Sequence, residues 1–215
     1  MKKTAILMFA AAMISGAVFA DHDMSMYEVT ITNITGGQTF TPILAATHAR
    51  DVSIYEVGEP ASAELEMLAE GGNTMPLQEY LDSMPDMVHA TNTTEGLLGP
   101  GESVSFEIGS SYGNFRISFA AMLLPTHDTF VAAGSVYLPV TETTFMVPAY
   151  DAGTELNDEL CENIPGPLCG GGAVSAESGE GFVHIANGIH GIGDLEPELY
   201  DWRNPVAKVT IRRIW

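Results

Sequence analysis

Basic residues are scarce in this chain: 8 Lys and Arg stand against 28 Asp and Glu among 215 residues, a formal charge of −20. That balance argues against nucleic acid as a partner, because phosphate recognition rests on clustered Lys and Arg. Cysteine is scarcer still. Cys161 and Cys169 stand alone, without the CxxC spacing or second pair that would complete a cysteine zinc site. There is no HExxH motif, so the usual signature of zinc-dependent hydrolases is missing. Gly109-Ser110-Ser111-Tyr112-Gly113 has the GxSxG spacing of serine hydrolases, but it connects two alternating strand patterns rather than a strand to a helix, so no nucleophile turn is expected there. Internal repeats, heptads and low-complexity tracts are also lacking. The apolar run from Ala5 to Ile14 falls short of the about 20 residues that span a bilayer.

That run has a different meaning. Lys2 and Lys3 precede it, and the small residues Ser15, Gly16, Ala17 and Ala20 follow, the layout of a secretory signal peptide over residues 1–20 cleaved after Ala20. No cysteine stands near that point, so a lipid tether is not indicated. Residues 21–215 then form one domain of a size that buries its own core, in a secreted or periplasmic protein with no transmembrane segment. The leader carries two of the eight bases and none of the acids, so the exported form is more acidic still. Cations are the natural counterpart of such a surface, although acidity alone also keeps exported proteins soluble. In an oxidising compartment Cys161 and Cys169 are expected to form a disulfide. Closing so short a loop contributes roughly 2.5 kcal/mol, less here because Pro165-Gly166-Pro167 already stiffens the unfolded loop. Metal ligation is the alternative for the pair.

Period-two alternation marks half-buried strands. Tyr27, Val29 and Ile31 oppose Glu28, Thr30 and Thr32; Val104, Phe106 and Ile108 oppose Ser103, Ser105 and Glu107; Phe115, Ile117 and Phe119 oppose Arg116 and Ser118. Further strands are expected over 39–47, 52–57, 130–138, 143–147, 181–185 and 206–214. Eight or nine short strands separated by turn residues predict a mostly β fold, an antiparallel β-sandwich. Two segments break the rhythm. Residues 60–70, with Leu65, Met67 and Leu68, and 76–84, with Leu77, Tyr80, Leu81 and Met84, read as a short helical insertion whose apolar residues belong to the core, packed across one end of the sandwich. From Asn157 to Gly181 the chain turns loop-like, and its cysteine pair argues that the first half is ordered.

The segment Ala149-Tyr150-Asp151-Ala152-Gly153-Thr154-Glu155 bears most directly on function. Two carboxylates flank a glycine that lets the backbone turn, so both side chains and the Tyr150 or Asp151 carbonyl can converge on one point. Calcium takes 6 to 8 hard oxygen ligands from such loops. Asp128, in Pro125-Thr126-His127-Asp128-Thr129, can arrive from a neighbouring loop. A competing reading makes Asp151 a turn former whose side chain caps its own backbone. Asn157 and Asp158 are further oxygen donors or turn starters.

Together with Tyr27-Glu28-Val29-Thr30-Ile31, Val57-Gly58-Glu59-Pro60-Ala61-Ser62, Leu160-Cys161-Glu162-Asn163-Ile164-Pro165-Gly166-Pro167 and the tail from Asp201-Trp202-Arg203-Asn204-Pro205 to Ile211, this segment resembles the spondin N-terminal domain family, closest to its secreted bacterial members. The resemblance implies a C2-like sandwich with a Ca2+ site on one end, used in extracellular or envelope adhesion and recognition. It places the family's metal-binding acids on Asp128, Asp151 and Glu155, with Tyr150 adjacent. Glu155 stands where the family has Asp, one methylene longer. The further domains of the animal relatives are absent, so their partners do not carry over.

Two rivals remain at this level. His184, His190 and Asp194 lie close in sequence and allow a transition-metal site, hence a secreted metal-assisted hydrolase, although glycines around His190 argue for a loop where imidazoles satisfy backbone carbonyls. A structural envelope protein without bound metal is the other. Arg203, Lys208, Arg212 and Arg213 gather near the C-terminus and are expected to pair with neighbouring acids. Trp202 is expected to pack on the sandwich.

Overall fold

Alternation in the first strand is realised as one face of a sheet. In the computed structural model, which describes residues 24–172 and 179–215, β1 (Met24–Asn33) buries Tyr27, Val29 and Ile31. The leader read over residues 1–20 lies outside the described residues. β1 is flanked by β5 (Ser103–Ser111) and β11 (Ala207–Arg213), and β11 by β8 (Glu142–Val147). This four-stranded antiparallel sheet keeps its outer face wet. Hydroxyl pairs span the strands there, Thr30 with Ser105 at 2.8 Å, Thr32 with Ser103 at 2.8 Å and Thr144 with Thr210 at 2.9 Å. Arg212 pairs with Glu28 at 3.0 Å on the same face, as the basic tail was expected to do, and Arg203 pairs with Asp201.

The second sheet obeys a different rule. Its path runs β10 (His184–Ile185), β9 (Ala149–Asp151), β7 (Thr129–Tyr137), β6 (Arg116–Leu124), β3 (Leu44–His48) and β4 (Val88–Thr93), with β2 (Thr39–Phe40) paired to β6. Every pairing is antiparallel. One face meets the first sheet through Ile117, Phe119, Ala121, Leu123 and Val131. The other is covered by α1 (Ala63–Gly71) and α2 (Met75–Asp82), whose Leu65, Leu68, Leu77 and Leu81 pack on Leu44, Ala46, Ala120, Phe130 and Ala132. Both faces of β6 are therefore dry, and its alternation gives way to a continuous apolar run after Ser118, the pattern of a strand covered on both sides.

The mostly β sandwich with a short helical insertion is thus what the chain builds, and three local expectations change. The helices lie over the outer face of the larger sheet, not across an end of the sandwich. Residues 52–57 form no strand; Val52 and Ile54 are buried under the helices as irregular chain. β4 and β9 were missed, β4 because VHATNT buries only Val88.

α1 begins where Ser62 Oγ accepts the Leu65 N–H at 3.2 Å, and ends at Gly72 in the left-handed conformation, φ 65°, whose N–H returns to the Leu68 carbonyl, the αL type of helix stop. Leu68 is fully buried, whereas Met67 is 44% exposed and does not join the core. Leu68→Ala is expected to cost about 2–5 kcal/mol and Met67→Ala less than about 0.5 kcal/mol, both read from urea unfolding; equal costs would refute the placement of α1.

Candidate metal centre

The β7–β9–β10 ladder sets Asp151 opposite Thr129 on one side and His184 on the other. Beyond Asp151 the chain reverses through Gly153, φ 67°, whose N–H donates to Asp151 Oδ1 at 2.8 Å. Asn157 Nδ2 donates to the second oxygen at 2.9 Å. The turn-forming reading of Asp151 is therefore realised, and it does not exclude a ligand role, since each carboxylate oxygen has two lone pairs. Only glycine fits at 153: a Cβ there would lie 2.4 Å from the Phe182 carbonyl oxygen.

Asp128 closes the turn from the neighbouring loop. Its Oδ2 accepts from Thr154 N at 2.7 Å, Glu155 N at 3.1 Å and Thr154 Oγ1 at 3.2 Å, and its own carbonyl accepts from Ala152 N at 3.2 Å. The residue is fully buried, yet its Oδ1 has no hydrogen-bond partner among the described residues. The same holds for Glu70 Oε2, in the last turn of α1, where the side chain comes within reach of the Thr154 hydroxyl. Glu155 is buried beside them.

These acids are costly as charges. Burial, then the negative charge of Asp151, pushes the Asp128 carboxyl up to about 6. Burial pushes Glu70 up to about 7, with Glu66 and Asp128 adding to it against the Thr154 hydrogen bond. Asp151 is raised by burial as well, opposed by the Gly153 N–H and by His184. Among the described residues no Lys or Arg pairs with Glu70, Asp128 or Asp151. The arrangement is a cluster of buried carboxylates.

Asp128 and Asp151 lie close enough for their charges to interact, and Glu155 N donates to Asp128 Oδ2. Tyr150 lies beside them within β9, its ring packed on Tyr55 at 4.9 Å and Phe130 at 5.8 Å, and therefore engaged in the core. Glu70 went unread in the sequence. A signal was there: helix dipoles favour cations, not acids, at their C-terminal ends, and this acid stands immediately before Gly71-Gly72.

Of the histidine cluster weighed as a rival, His184 alone joins a group able to hold a metal among the described residues. His184 Nε2 lies 3.5 Å from Asp151 Oδ1 and 3.5 Å from Glu180 Oε2, while the His190 N–H is held by Glu159 Oε1 at 2.6 Å and Asp194 Oδ2 accepts from Cys161 N at 2.9 Å. Glu159 acts as a staple for the long excursion. Buried and at φ 58°, it also accepts from Gly191 N and Ile192 N, at 2.7 and 3.0 Å, and donates its own N–H to His127 Nε2 at 2.9 Å. That nitrogen carries no proton, so Asp158, 3.2 Å away, is not its ion-pair partner. Burial holds His127 below its ordinary pKa against the pull of Asp158, Asp128 and Glu159. Cys161 and Cys169 are disulfide-bonded. Ile164, between them, reaches the core, and Trp202 packs there too.

Fold and site together define a β-sandwich module with a cluster of buried acids, Glu70, Asp128, Asp151 and Glu155. The Spondin_N family model matches residues 32–158, more than half of the chain, and the chain belongs to the spondin N-terminal domain family. No curated protein matches it at a significant level.

A raised carboxyl pKa stabilises the fold only while the group is protonated, so this contribution is present below about pH 4 and is lost as pH rises through about 6 for Asp128 and about 7 for Glu70. The chelator-treated protein should lose melting temperature over that range, and Asp128→Asn should flatten the loss; an unchanged pH profile would contradict the burial. Gly153→Ala is expected to destabilise by more than about 1 kcal/mol, read by chemical denaturation.

Proposed function

We propose that this chain is an exported, non-enzymatic recognition module whose acidic end binds one Ca2+ ion through Glu70, Asp128, Asp151 and Glu155. The observation that carries the reading is the pair of buried carboxylate oxygens, Glu70 Oε2 and Asp128 Oδ1, that have no hydrogen-bond partner among the described residues. Leaving a buried polar atom unmatched costs free energy that a bound cation would offset. The donors are all oxygens, from carboxylates and the Thr154 hydroxyl, which suits calcium. They come from a helix end, the β6–β7 loop and the turn after β9, so the ion would tie three elements together rather than perform chemistry. Tyr150, whose main-chain carbonyl was a candidate, lies within β9 between β7 and β10 and is not part of the proposed set.

Family membership supports an extracellular, adhesion-type role. Export is supported by the leader-like N-terminus and by the disulfide. Among the described residues no helix is long and apolar enough to cross a membrane.

Extracellular calcium modules bind with dissociation constants of about 0.1–1 mM, and at ten times that constant binding adds roughly 1.4 kcal/mol. Calcium titration of the chelator-treated protein should therefore raise its melting temperature. Asp128→Asn and Glu70→Gln should each remove most of that gain, more than Asp151→Asn, whose oxygens already hold Gly153 N and Asn157 Nδ2. No shift at several millimolar calcium, or a full shift in both Asp128→Asn and Glu70→Gln, would overturn the assignment.

A further inference from the structure

Next to these acids, and sharing only Asp151 with them, stands a group of different chemistry. One ligand atom each from Asp151, Glu180 and His184 lies within 4.8 Å of the other two. His184 fixes the character of the group. Its Nδ1 is 3.0 Å from the Ile185 carbonyl oxygen, which only accepts, so Nδ1 carries a proton and Nε2 is the ring atom left to meet a ligand. That buried nitrogen has no hydrogen-bond partner among the described residues and faces carboxylate oxygens of Asp151 and Glu180 at 3.5 Å each. The two carboxylates favour positive charge between them, either a proton on Nε2 or a metal ion in its place.

We propose that Asp151, Glu180 and His184 form a second cation site, for a zinc-class transition-metal ion, with its fourth coordination position open. Tetrahedral zinc with ligands at about 2.0–2.1 Å separates them by about 3.4 Å, close to the two 3.5 Å spacings. One imidazole with two carboxylates suits zinc and its neighbours, whereas calcium selects oxygen alone. The outer shell is in place as well. Ligating histidines usually donate their second N–H to a carbonyl or carboxylate, and ligating carboxylates are themselves hydrogen-bonded; here the Ile185 carbonyl serves His184, and Gly153 N with Asn157 Nδ2 hold Asp151.

Two ligands are positioned by the fold itself, because His184 and Asp151 are direct partners in the β9–β10 ladder. Glu180 is 44% exposed along its side chain and supplies the path from solvent. Asp151 and Glu180 also line a cavity of about 90 Å³ with His127, Glu159 and His190. His127 is 2% exposed and its Nδ1 is likewise without a partner among the described residues, which gives a metal-bound water or small anion in the fourth position a neighbouring donor.

The test uses the exported form of the full chain, stripped with chelator, titrated with Zn2+ by calorimetry and with Co2+ by visible absorption, where four-coordinate geometry gives characteristic intense bands. One equivalent of each should bind, with a four-coordinate cobalt spectrum. His184→Ala should weaken binding by more than the about 10–100-fold that loss of an outer-shell partner costs, and Glu180→Gln, a change at an exposed side chain that leaves folding intact, by at least about 10-fold. Asp128→Asn and Glu70→Gln should bind zinc as wild type does while losing the calcium response, so the two sites fail separately. Absence of binding at submillimolar zinc, full affinity in His184→Ala or Glu180→Gln, or loss of binding in His190→Ala with His184→Ala unaffected would each overturn the proposal.

Discussion

The structure turns on negative charge placed where the chain has almost nothing of the opposite sign to meet it. Asp128 is sealed at the end of the sandwich, and its Oδ2 organises the following turn by drawing in the N–H groups of Thr154 and Glu155. That contact needs the carboxylate, and the carboxylate needs a counter-charge. Glu70 and Asp151 crowd the same place with more negative charge. Desolvated like charges this close raise one another's pKa and favour either protons or a cation, and at neutral pH a divalent ion is the more effective partner.

The rest of the architecture serves that end of the molecule. The smaller sheet is an ordinary half-buried platform, with hydroxyls facing water and aliphatic residues facing inward. The larger sheet is dry on both faces because α1 and α2 lie across it, and this cover delivers Glu70 to the loops of β6 and β9. Residues 152–172 and 179–194, which carry no long strand or helix, are held by specific contacts instead: the Cys161–Cys169 bridge, the Glu159 carboxylate gripping three consecutive N–H groups, and Ile164 anchored in the core. Glycine at 153 permits the close approach of Phe182, which brings Glu180 and His184 back beside Asp151.

Local periodicity made part of this legible. The strands with one wet face, β1 and β5, could be read from alternation, and so could the first half of β6, because a single buried side writes a period of two. The second half of β6 could not be placed in the same way, since its outward residues are apolar for a reason located in the helices. β4 and β9 are short and carry few aliphatic residues, so their pairing comes from neighbours and not from their own pattern. At the site, Asp128, Asp151 and Glu155 were visible through loop context and family resemblance. Glu70 was not, because its relation to Asp128 exists only once α1 has packed on the sheet. The grouping of His184 with Glu180 rather than with His190 and Asp194 likewise depends on a ladder of two residues that sequence spacing does not reveal.

The central claim is that the buried acids at this end form a calcium site that includes Glu70. Diffraction from crystals of the exported form grown with calcium, recorded at a wavelength where calcium scatters anomalously, tests it most directly. The account predicts one anomalous peak with oxygens of Glu70 and Asp128 at about 2.3–2.6 Å, Thr154 and Glu155 adjoining. A well-ordered calcium-soaked structure with no peak there, or with calcium only on exposed surface acids, would contradict it.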